Sequence, residues 1–493
     1  MTSRQQLWQQ LENQTFDAVI VGGGISGAAL FRQLSLQNYR CLLVDQGDFA
    51  SGTSQASGML IWGGLLYLKN MDLRTVVQLS SARDKLIREL PDVVQPATFR
   101  YLSRLSGTRP GWLVRAALEA YWWLGGCRRK RPKRERYFNA RGLLAEQRFG
   151  DSITYEEGVL PYSDARLVLR WIEEGCNSPS GSTALGYCRL DSAEAGWQLK
   201  LRDTQPRFDS PSPSQALPNE PPDAPSPAAD DGCLTVNSRC LINAAGVWAD
   251  QLNTSIGLQS SHRHVFSKGV YLGLPRPPQL QEFLAFEMGA HGDTLTYTPW
   301  GPIALWGPTE TPIDTLDGAF TPNADDLRFL LDSARDNLRH QFMPQDIISL
   351  RCGVRPLAVA KSYQGNDYPL DLSRRCVVDV DHANKGMTLY GGKLTSAPKM
   401  AAQGVDQVRD LIGEGQPGER PPFADDVGLY DYLRRRTNIA QWTPRLGLGR
   451  HGEYRDFLHQ LAVGLHGEDQ ANAAVADLES RARAQDELLQ QIY

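Results

Sequence analysis

The sequence has no large excess of charge of either sign. Its 493 residues include 52 lysines and arginines and 56 aspartates and glutamates, which gives a formal net charge of -4 at pH 7. Proteins that bind nucleic acid over much of their surface need a dominant basic face to replace the counterions of the phosphates. The charge balance excludes that class, so we expect no nucleic-acid partner and only a local site for any anion.

Long apolar runs are also missing. The longest uncharged stretch, Phe49–Leu68, contains four glycines together with serine, threonine and glutamine, and it is too polar to cross the hydrocarbon of a bilayer. Residues 1–16 are rich in glutamine and lack the apolar segment of a secretory signal. We therefore expect no transmembrane helix and a cytoplasmic location.

Cysteine is too sparse and too scattered for a disulfide framework. The eight cysteines form no Cys-x-x-Cys pair and have no histidine cluster beside them, so we expect free thiols and no metal site. The apolar fraction of 41% is ordinary for a globular protein, and the length fits about three domains or one large two-domain enzyme.

Local periodicity predicts the main elements outside the N-terminal region. Apolar residues recur at helical spacing in Leu73–Leu90 and in Gly111–Leu124. Trp197–Asp203 and Leu234–Leu241 have the composition of strands. Between them, residues 206–232 contain eight of the 30 prolines and little to bury, which predicts a mobile loop inserted in a hairpin.

The N-terminal region contains a nucleotide-binding pattern. A short apolar run, Phe16–Val21, leads into Gly22-Gly23-Gly24-Ile25-Ser26-Gly27, an apolar-periodic stretch follows, and a second apolar run ends at Asp45. In a strand-turn-helix unit, Gly22 permits the sharp turn, Gly24 lets a pyrophosphate approach the backbone, and Gly27 lets the helix pack on the strand. A carboxylate about 20 residues further on accepts hydrogen bonds from ribose hydroxyls and repels a 2′-phosphate. The pattern predicts a dinucleotide other than NADP, and it does not separate NAD from FAD.

Five further motifs occur in the order found in one enzyme family. Together with the glycine turn they cover roughly residues 14–410, and they resemble the FAD-dependent glycerol-3-phosphate dehydrogenase family, of which this chain would be a divergent member. The motifs are Asp48–Leu68, Asp164-Ala165-Arg166, Ile242-Asn243-Ala244-Ala245-Gly246-Val247-Trp248, Gly353-Val354-Arg355-Pro356-Leu357 and Gly391-Gly392-Lys393-Leu394-Thr395.

The resemblance implies a D-amino-acid-oxidase-like α/β (α+β) fold and a role in glycerol metabolism. A Rossmann-type FAD-binding domain with a mainly parallel sheet would comprise residues 14–78, 160–256 and 350–410. An interleaved antiparallel-sheet substrate domain would comprise residues 79–159 and 257–349. Residues 411–493 would form a small C-terminal helical region. The implied reaction is hydride transfer from C2 of an anionic, phosphorylated alcohol to flavin N5, with electrons passed to a quinone.

The same resemblance implies the site residues. Basic side chains that hold the substrate phosphate map onto Arg355, Arg374 and Lys393, and Arg offers bidentate geometry to phosphate or carboxylate. The expected FAD contacts are Gly22, Gly24, Ile25, Ser26, Gly27, Asp45, Gln46, Thr53, Ser54, Gly63, Gly64, Ala245, Gly246, Trp248, Gly392, Lys393, Leu394 and Thr395.

The chain departs from the family where alcohol oxidation needs a base. The family's His-Gly-Gly-Leu-Arg-Tyr reads Trp62-Gly63-Gly64-Leu65-Leu66-Tyr67, and its Lys-Gly-Ser-His reads Lys268-Gly269-Val270-Tyr271. Histidine suits proton removal because its pKa lies near 7. Tyr67 or Tyr271 could replace it if Arg355 or Lys393 lowered its pKa, and Glu310, His262 and His264 are weaker candidates. Trp62 and Tyr271 also favour a larger or more apolar substrate than glycerol phosphate.

These departures leave three functions open. The first is a dehydrogenase of glycerol 3-phosphate or a related anionic alcohol. The second is an FAD-dependent oxidase or dehydrogenase of a hydroxy or amino acid, which would use the same arginines for a carboxylate. The third is a degenerate FAD-binding paralogue without this activity.

A basic cluster follows the second predicted helix. Seven of the nine residues from Arg128 to Arg136 are lysine or arginine, directly after the aromatic segment Gly111–Leu124. The cluster is either a solvated loop or a patch that binds an anionic membrane surface. With the family's use of quinone, the second interpretation predicts a peripheral protein on the inner face of the cell membrane.

Overall fold

The computed structural model describes residues 3–104, 110–145, 148–161, 164–204, 233–288, 293–300, 303–365 and 375–415. The proline-rich insertion 206–232, Arg374 and nearly all of the predicted helical region 411–493 lie outside the described residues.

The helices of the described residues include those predicted at Leu73–Leu90 and Gly111–Leu124, and both predictions are confirmed. The helices are α1 (Ser3–Leu11), α2 (Ile25–Leu36), α3 (Leu73–Glu89), α4 (Gly111–Leu124), α5 (Asp164–Cys176), α6 (Ala249–Ile256), α7 (Ala324–Asn337) and α8 (Ala397–Ile412).

The strands fall into two sheets. They are β1 (Thr15–Val21), β2 (Cys41–Val44), β3 (Leu60–Ile61), β4 (Gln95–Arg104), β5 (Lys133–Glu135), β6 (Phe149–Val159), β7 (Thr183–Leu185), β8 (Cys188–Glu194), β9 (Gln198–Asp203), β10 (Cys233–Asn243), β11 (His262–Pro275), β12 (Phe283–Met288), β13 (Asp293–Trp300), β14 (Ile303–Gly307), β15 (Thr311–Ile313), β16 (Ser349–Ala360), β17 (Val377–Asp381) and β18 (Gly386–Tyr390).

The first sheet has a parallel centre. Strand β1 pairs in parallel with β2 and β10, and the order β17-β18-β10-β1-β2-β7 continues on both sides. All four residues of β2 are buried, as expected for a strand covered on both faces. Helix α2 contacts both α5 and α8, so these helices form one layer beside the sheet. This confirms the Rossmann-type arrangement.

The predicted hairpin at the edge of this sheet is also confirmed. Strands β9 and β10 pair antiparallel from Arg202 opposite Cys233 to Gln198 opposite Asn237. The proline-rich residues 206–232 therefore connect two paired strands, as the sequence predicts.

The second sheet is mainly antiparallel, and its order is β15-β11-β14-β13-β12-β4-β6-β3. Strand β16 pairs with β11 over twelve positions, from His262 opposite Ala360 to Gly273 opposite Ser349. Buried apolar side chains of this sheet and of α7 form a core of their own. This is the antiparallel sheet that the resemblance implies.

The domain division as a whole stays a prediction, and the strand pairing differs from it at two segments. Residues 350–360 were expected in the FAD-binding domain, but β16 belongs to the second sheet because it pairs along β11. Leu60 and Ile61, also assigned to that domain, pair with β6 of the second sheet. Both segments were assigned to the FAD-binding domain but pair in the second sheet. No local pattern in the sequence predicts this pairing.

Candidate active site

The glycine turn connects β1 to α2 and admits no side chain at two positions. Gly22 has φ +115°, and a Cβ built on it would lie 2.4 Å from the carbonyl oxygen of Ala244. A Cβ on Gly27 would lie 1.9 Å from the carbonyl oxygen of Gly22. The turn therefore needs glycine both for its backbone conformation and for its packing against β10.

Asp45 lies directly against this turn. Its carboxylate accepts hydrogen bonds from the backbone N–H of Gly23 at 2.7 Å and of Gly47 at 2.9 Å. Burial raises the pKa of Asp45 to about 6, although these two N–H groups act in the opposite direction. The acid predicted to bind ribose is thus held beside the glycine turn by a hydrogen bond from Gly23.

A cavity of about 1340 Å³ runs from this turn toward the second sheet. This volume exceeds the usual range for a site that binds one small molecule. Most of the predicted contacts line it, and they come from both sheets. They are Gly22, Gly24, Ile25, Ser26, Asp45, Gln46, Thr53, Ser54, Trp62, Gly64, Tyr67, Ala245, Gly246, Trp248, Tyr271, Arg355, Gly392, Lys393, Leu394 and Thr395.

Two predicted cofactor contacts are placed differently. Gly27 packs behind the turn, and Gly63 is buried with its backbone N–H donated to Glu157 at 3.0 Å. Neither is among the residues that line the cavity. Gly27 and Gly63 instead support the cavity wall, because each permits close packing of the segments that carry the lining residues.

Hydrogen bonds, two of them between distant segments, hold the turns around the cavity. The hydroxyl of Ser54 accepts from the backbone N–H of Ile25 at 2.9 Å, and Thr53 donates to the carbonyl of Val354 at 2.6 Å. The side chain of Asn243 accepts from the N–H of Ala245 at 3.0 Å. The first two bonds connect the start of α2 to β16 through Thr53 and Ser54, and the third holds the turn after β10 locally.

A buried ionic network supports the turn that carries Trp62, and the sequence did not reveal it. Glu157 on β6 accepts from Gly63, from Arg83 on α3 at 2.7 Å and from the hydroxyl of Tyr121 on α4 at 2.5 Å. The carboxylate is fully buried, so it needs these donors. Helical spacing placed Tyr121 among the aromatic residues of α4, but no pattern linked it to a glutamate in a strand.

Two of the three predicted phosphate ligands, Arg355 and Lys393, line the cavity. Arg355 donates to the carbonyl oxygen of Thr309 at 3.2 Å and lies 3.4 Å from the carboxylate of Glu310. The Lys393 ammonium lies 4.7 Å from the centre of the Tyr67 ring. Arg374, the third, lies outside the described residues.

Tyr271 does not have the lowered pKa that a catalytic base would need. Its hydroxyl reaches the backbone of Gly58, where an added Cβ would lie 2.2 Å away. Burial raises the pKa of Tyr271, and the opposing effect of Arg355 and Arg351 is smaller. The lowering by Arg355 on which the predicted role of Tyr271 as a base depends is thus outweighed by burial, and that role stays a prediction.

The two histidines considered as bases do not line the cavity. His262 pairs with Asp379 at 2.8 Å. His264 is buried, and its Nε2 accepts from the backbone N–H of Gly391 at 3.1 Å. Burial lowers the pKa of His264 to about 4, so it remains neutral at ordinary pH. The hydrogen bond from Gly391 to His264 holds the turn that precedes Gly392 and Lys393.

The surface around α4 combines aromatic and basic side chains. Trp112 and Trp123 are each 71% exposed. Several cations of the Arg128–Arg136 cluster pair with carboxylates, including Arg129 with Asp84 and Arg131 with Glu119. The cluster is therefore partly neutralised within the protein itself.

Residues 17–397 match the family model described as FAD dependent oxidoreductase. The chain belongs to this FAD-dependent oxidoreductase family. It is 25% identical over 459 residues to D-erythritol 1-phosphate dehydrogenase of Brucella abortus (strain 2308), covering 90% of this chain and 84% of that protein. It is 24% identical over 468 residues to glycerol-3-phosphate dehydrogenase of Pseudomonas aeruginosa, covering 92% and 85%.

Solved structures support the same fold for this FAD-dependent oxidoreductase. The glycerol-3-phosphate dehydrogenase from Bacillus halodurans, complexed with FAD, is similar with a TM-score of 0.65 over 97% of both chains at 18% identity. The glycine oxidase from Geobacillus kaustophilus is similar with a TM-score of 0.51 over 82% of this chain and 96% of that chain, at 17% identity. The predicted family and the FAD cofactor are thereby confirmed, and the chain is a divergent member.

The residues fit FAD. The glycine turn leaves its backbone open to a pyrophosphate at the start of α2, and Asp45 is placed for ribose hydroxyls.

None of the helices in the described parts of the chain is long and apolar enough to cross a membrane.

Proposed function

We propose that this FAD-dependent oxidoreductase oxidises an anionic alcohol, most simply a phosphorylated polyol, at its C2 carbon. FAD supplies the hydride acceptor through N5 of its flavin ring. The observation that carries the proposal is that Arg355 and Lys393 line the same cavity as the glycine turn and Asp45. The site would thus hold a small anion within reach of a dinucleotide.

The two cations approach from different elements. Arg355 extends from β16, and its guanidinium is oriented by Thr309 and Glu310. Lys393 follows the Gly391-Gly392 turn after β18, beside Tyr67. Guanidinium and ammonium groups from two segments of one cavity lining suit a phosphate, and the aromatic side chains of Trp62 and Tyr271 favour a substrate larger than glycerol phosphate.

Anaerobic mixing with a panel of substrates tests the proposal. The panel contains glycerol 3-phosphate, D-erythritol 1-phosphate, hydroxy acids and amino acids, and the oxidised flavin band is followed. We expect bleaching by a phosphorylated polyol. Bleaching only by hydroxy or amino acids would establish the carboxylate alternative instead, and no bleaching by any compound would support a degenerate paralogue.

Replacing the proposed anion ligand gives a second test. Arg355→Ala should raise the KM for the phosphorylated substrate about 10-fold to 100-fold, because a charge-assisted hydrogen bond is lost. Arg335→Ala, an exposed arginine of α7 paired with Asp332, serves as the control. An unchanged KM in Arg355→Ala would remove this residue from the site.

We also propose that the α4 surface docks on an anionic membrane, where a quinone would accept the electrons. The exposed rings of Trp112 and Trp123 supply apolar area, and the Arg128–Arg136 cluster supplies charge. This would place the protein in the cytoplasm, peripherally on the inner face of the cell membrane.

Sedimentation with vesicles of phosphatidylglycerol and phosphatidylcholine tests the docking. We expect binding at low salt that weakens in Arg128→Ser/Lys130→Ser and in Trp112→Ser/Trp123→Ser. Leu36→Ser, an exposed apolar residue at the end of α2, is the control. Absence of binding to vesicles, or binding unaffected by both double variants, would refute the docking.

A further inference from the structure

We infer that Glu310 accepts the proton of the substrate hydroxyl, in a site where the family's histidines are replaced. The inference rests on the proposed function, because it requires an alcohol substrate. Glu310 follows β14 and lines the cavity together with Trp62, Tyr271 and Arg355. It lies 3.4 Å from Arg355, one of the two cations proposed to bind the substrate anion.

The other acids of the cavity have different tasks. Of the described residues that line the cavity, four have a carboxyl side chain. No histidine is among the described lining residues. Asp45 is bound to the glycine turn, and Asp325 is an 88% exposed side chain that pairs with Arg328. Asp326 is buried in an ion pair with Lys268 at 2.6 Å. Glu310, which is itself paired with Arg355, is the carboxylate of this set that lies beside a proposed ligand of the substrate anion.

The tyrosine at the position of a family histidine does not compete for this role. Burial keeps the Tyr271 hydroxyl protonated, since its pKa is raised. The carboxylate of Glu310 lies close enough to contribute to that rise, so the two groups share one part of the cavity. Tyr271 can then donate a hydrogen bond to the substrate oxygen while Glu310 takes the proton.

The position of Glu310 is fixed by two strands of the second sheet. Ser267 on β11 donates to its Oε1 at 2.6 Å, and Arg355 on β16 lies 3.4 Å from its Oε2. The preceding residue is anchored as well, because Thr309 exchanges hydrogen bonds with the backbone of Val270 at 3.0 and 3.1 Å. The Glu310 side chain is only 10% exposed, so a substrate here would meet a preset carboxylate.

The step balances in protons and electrons. The O–H bond of the alcohol breaks, its proton passes to the Glu310 carboxylate, and its electron pair forms the C=O bond of the ketone. The C–H bond at the same carbon breaks, and its electron pair leaves with the hydrogen as hydride, which the FAD of the enzyme accepts. The alcohol is oxidised by two electrons and the cofactor is reduced by two.

The pairing with Arg355 gives the proposal a distinctive signature. Glu310 places a negative charge beside the cation that is proposed to bind the substrate anion. Its neutral replacement should therefore strengthen anion binding while it slows the reaction. A residue that only maintains the fold would weaken both.

The test compares Glu310→Gln with the wild type, both loaded with FAD. We expect the rate of anaerobic flavin reduction by the best phosphorylated alcohol to fall about 100-fold or more, the usual contribution of a general base. The dissociation constant for inorganic phosphate, measured by tryptophan fluorescence, should fall several-fold. Glu174→Gln is the matched control, because Glu174 is a partly buried glutamate paired with Arg32 and Arg170 and does not line the cavity.

A second variant separates charge from shape. Glu310→Asp keeps the carboxylate and should recover part of the rate that Glu310→Gln loses. A wild-type rate in Glu310→Gln, phosphate binding weakened in parallel with the rate, or an aspartate variant no faster than the glutamine variant would each overturn the inference. A wild type that no alcohol reduces is a separate result, since it refutes the proposed function before the variants are compared.

Discussion

Asp45 determines how the nucleotide end of the cavity responds to pH. Its carboxylate accepts from the backbone N–H of Gly23 in the turn and from that of Gly47, yet burial raises its pKa to about 6. Ribose hydroxyls donate to the ionised form, and a protonated carboxyl loses that capacity. If Asp45 binds the ribose as predicted, FAD binding will be linked to deprotonation of this residue.

Replacing Asp45 tests this linkage. In the wild type, the carboxyl of the FAD-free protein takes up a proton as the pH falls through about 6, so FAD should bind about tenfold more weakly at pH 5 than at pH 7. Asp45→Asn should weaken binding about 10-fold to 100-fold at pH 7 and remove this pH dependence. Titration of the FAD-free protein with FAD, followed by flavin fluorescence, measures both. A pH dependence retained in Asp45→Asn would assign it to another group.

At the scale of elements, buried polar side chains connect one strand or turn to another. His264 on β11 accepts from the N–H of Gly391 after β18, and Glu157 on β6 accepts from the N–H of Gly63 after β3. In each case a side chain of the second sheet fixes the backbone of a turn beside the cavity. An unpaired N–H at such a buried position would cost about 1–3 kcal/mol.

Variants of His264 should reveal this support. His264→Phe keeps a ring but removes the acceptor, so the Gly391 turn should loosen and the dissociation constant for FAD should rise about tenfold. His264→Gln restores an acceptor and should bring affinity back toward the wild type. His262→Phe is the control, because His262 is on the same strand and pairs with Asp379 rather than with the Gly391 turn. Equal FAD affinity in the phenylalanine and glutamine variants would show that the hydrogen bond to Gly391 does not position the cofactor site.

At the scale of the whole molecule, α5 of the first sheet's helical layer is tied to the second sheet by an ionic cluster. The carboxylate of Asp164 accepts from Arg351 on β16 at 2.6 Å and from the hydroxyl of Ser57 at 2.7 Å. Arg351 also stacks on Trp300 of β13, 5.2 Å from its ring centre. The cluster joins the Asp164-Ala165-Arg166 motif, the segment before β3 and β16.

Breaking this cluster should destabilise the protein. Asp164→Ala leaves Arg351 without its carboxylate in a mostly buried setting, and we expect a loss of about 3 kcal/mol in the free energy of unfolding. Arg170→Ala, which removes a partly exposed pair on the same helix, should cost less than about 1 kcal/mol. Urea unfolding followed by circular dichroism compares the two. Similar midpoints for both variants would contradict a structural role for the Asp164 cluster.

The predictions from sequence succeeded where the signal was local. The helices at Leu73–Leu90 and Gly111–Leu124 were found because apolar spacing within one helix reports its buried face. The turn from Gly22 to Gly27 was found because the fold requires glycine at fixed spacings. Residues 353–357 were expected in the FAD-binding domain but lie in β16, which pairs with β11 of the second sheet, since strand partners are chosen by contacts far away in the chain.

The sequence by itself determined the dinucleotide turn, the acid at Asp45 and the loss of the family's histidines, because each is a matter of residue type at short spacing. Only the tertiary structure decided that Glu310 lies beside Arg355, that His264 supports Gly391 and that Glu157 supports Gly63. These partners are 45, 127 and 94 residues apart, respectively. Their meeting depends on strand register and on which sheet each strand joins, and neither is encoded in a local pattern.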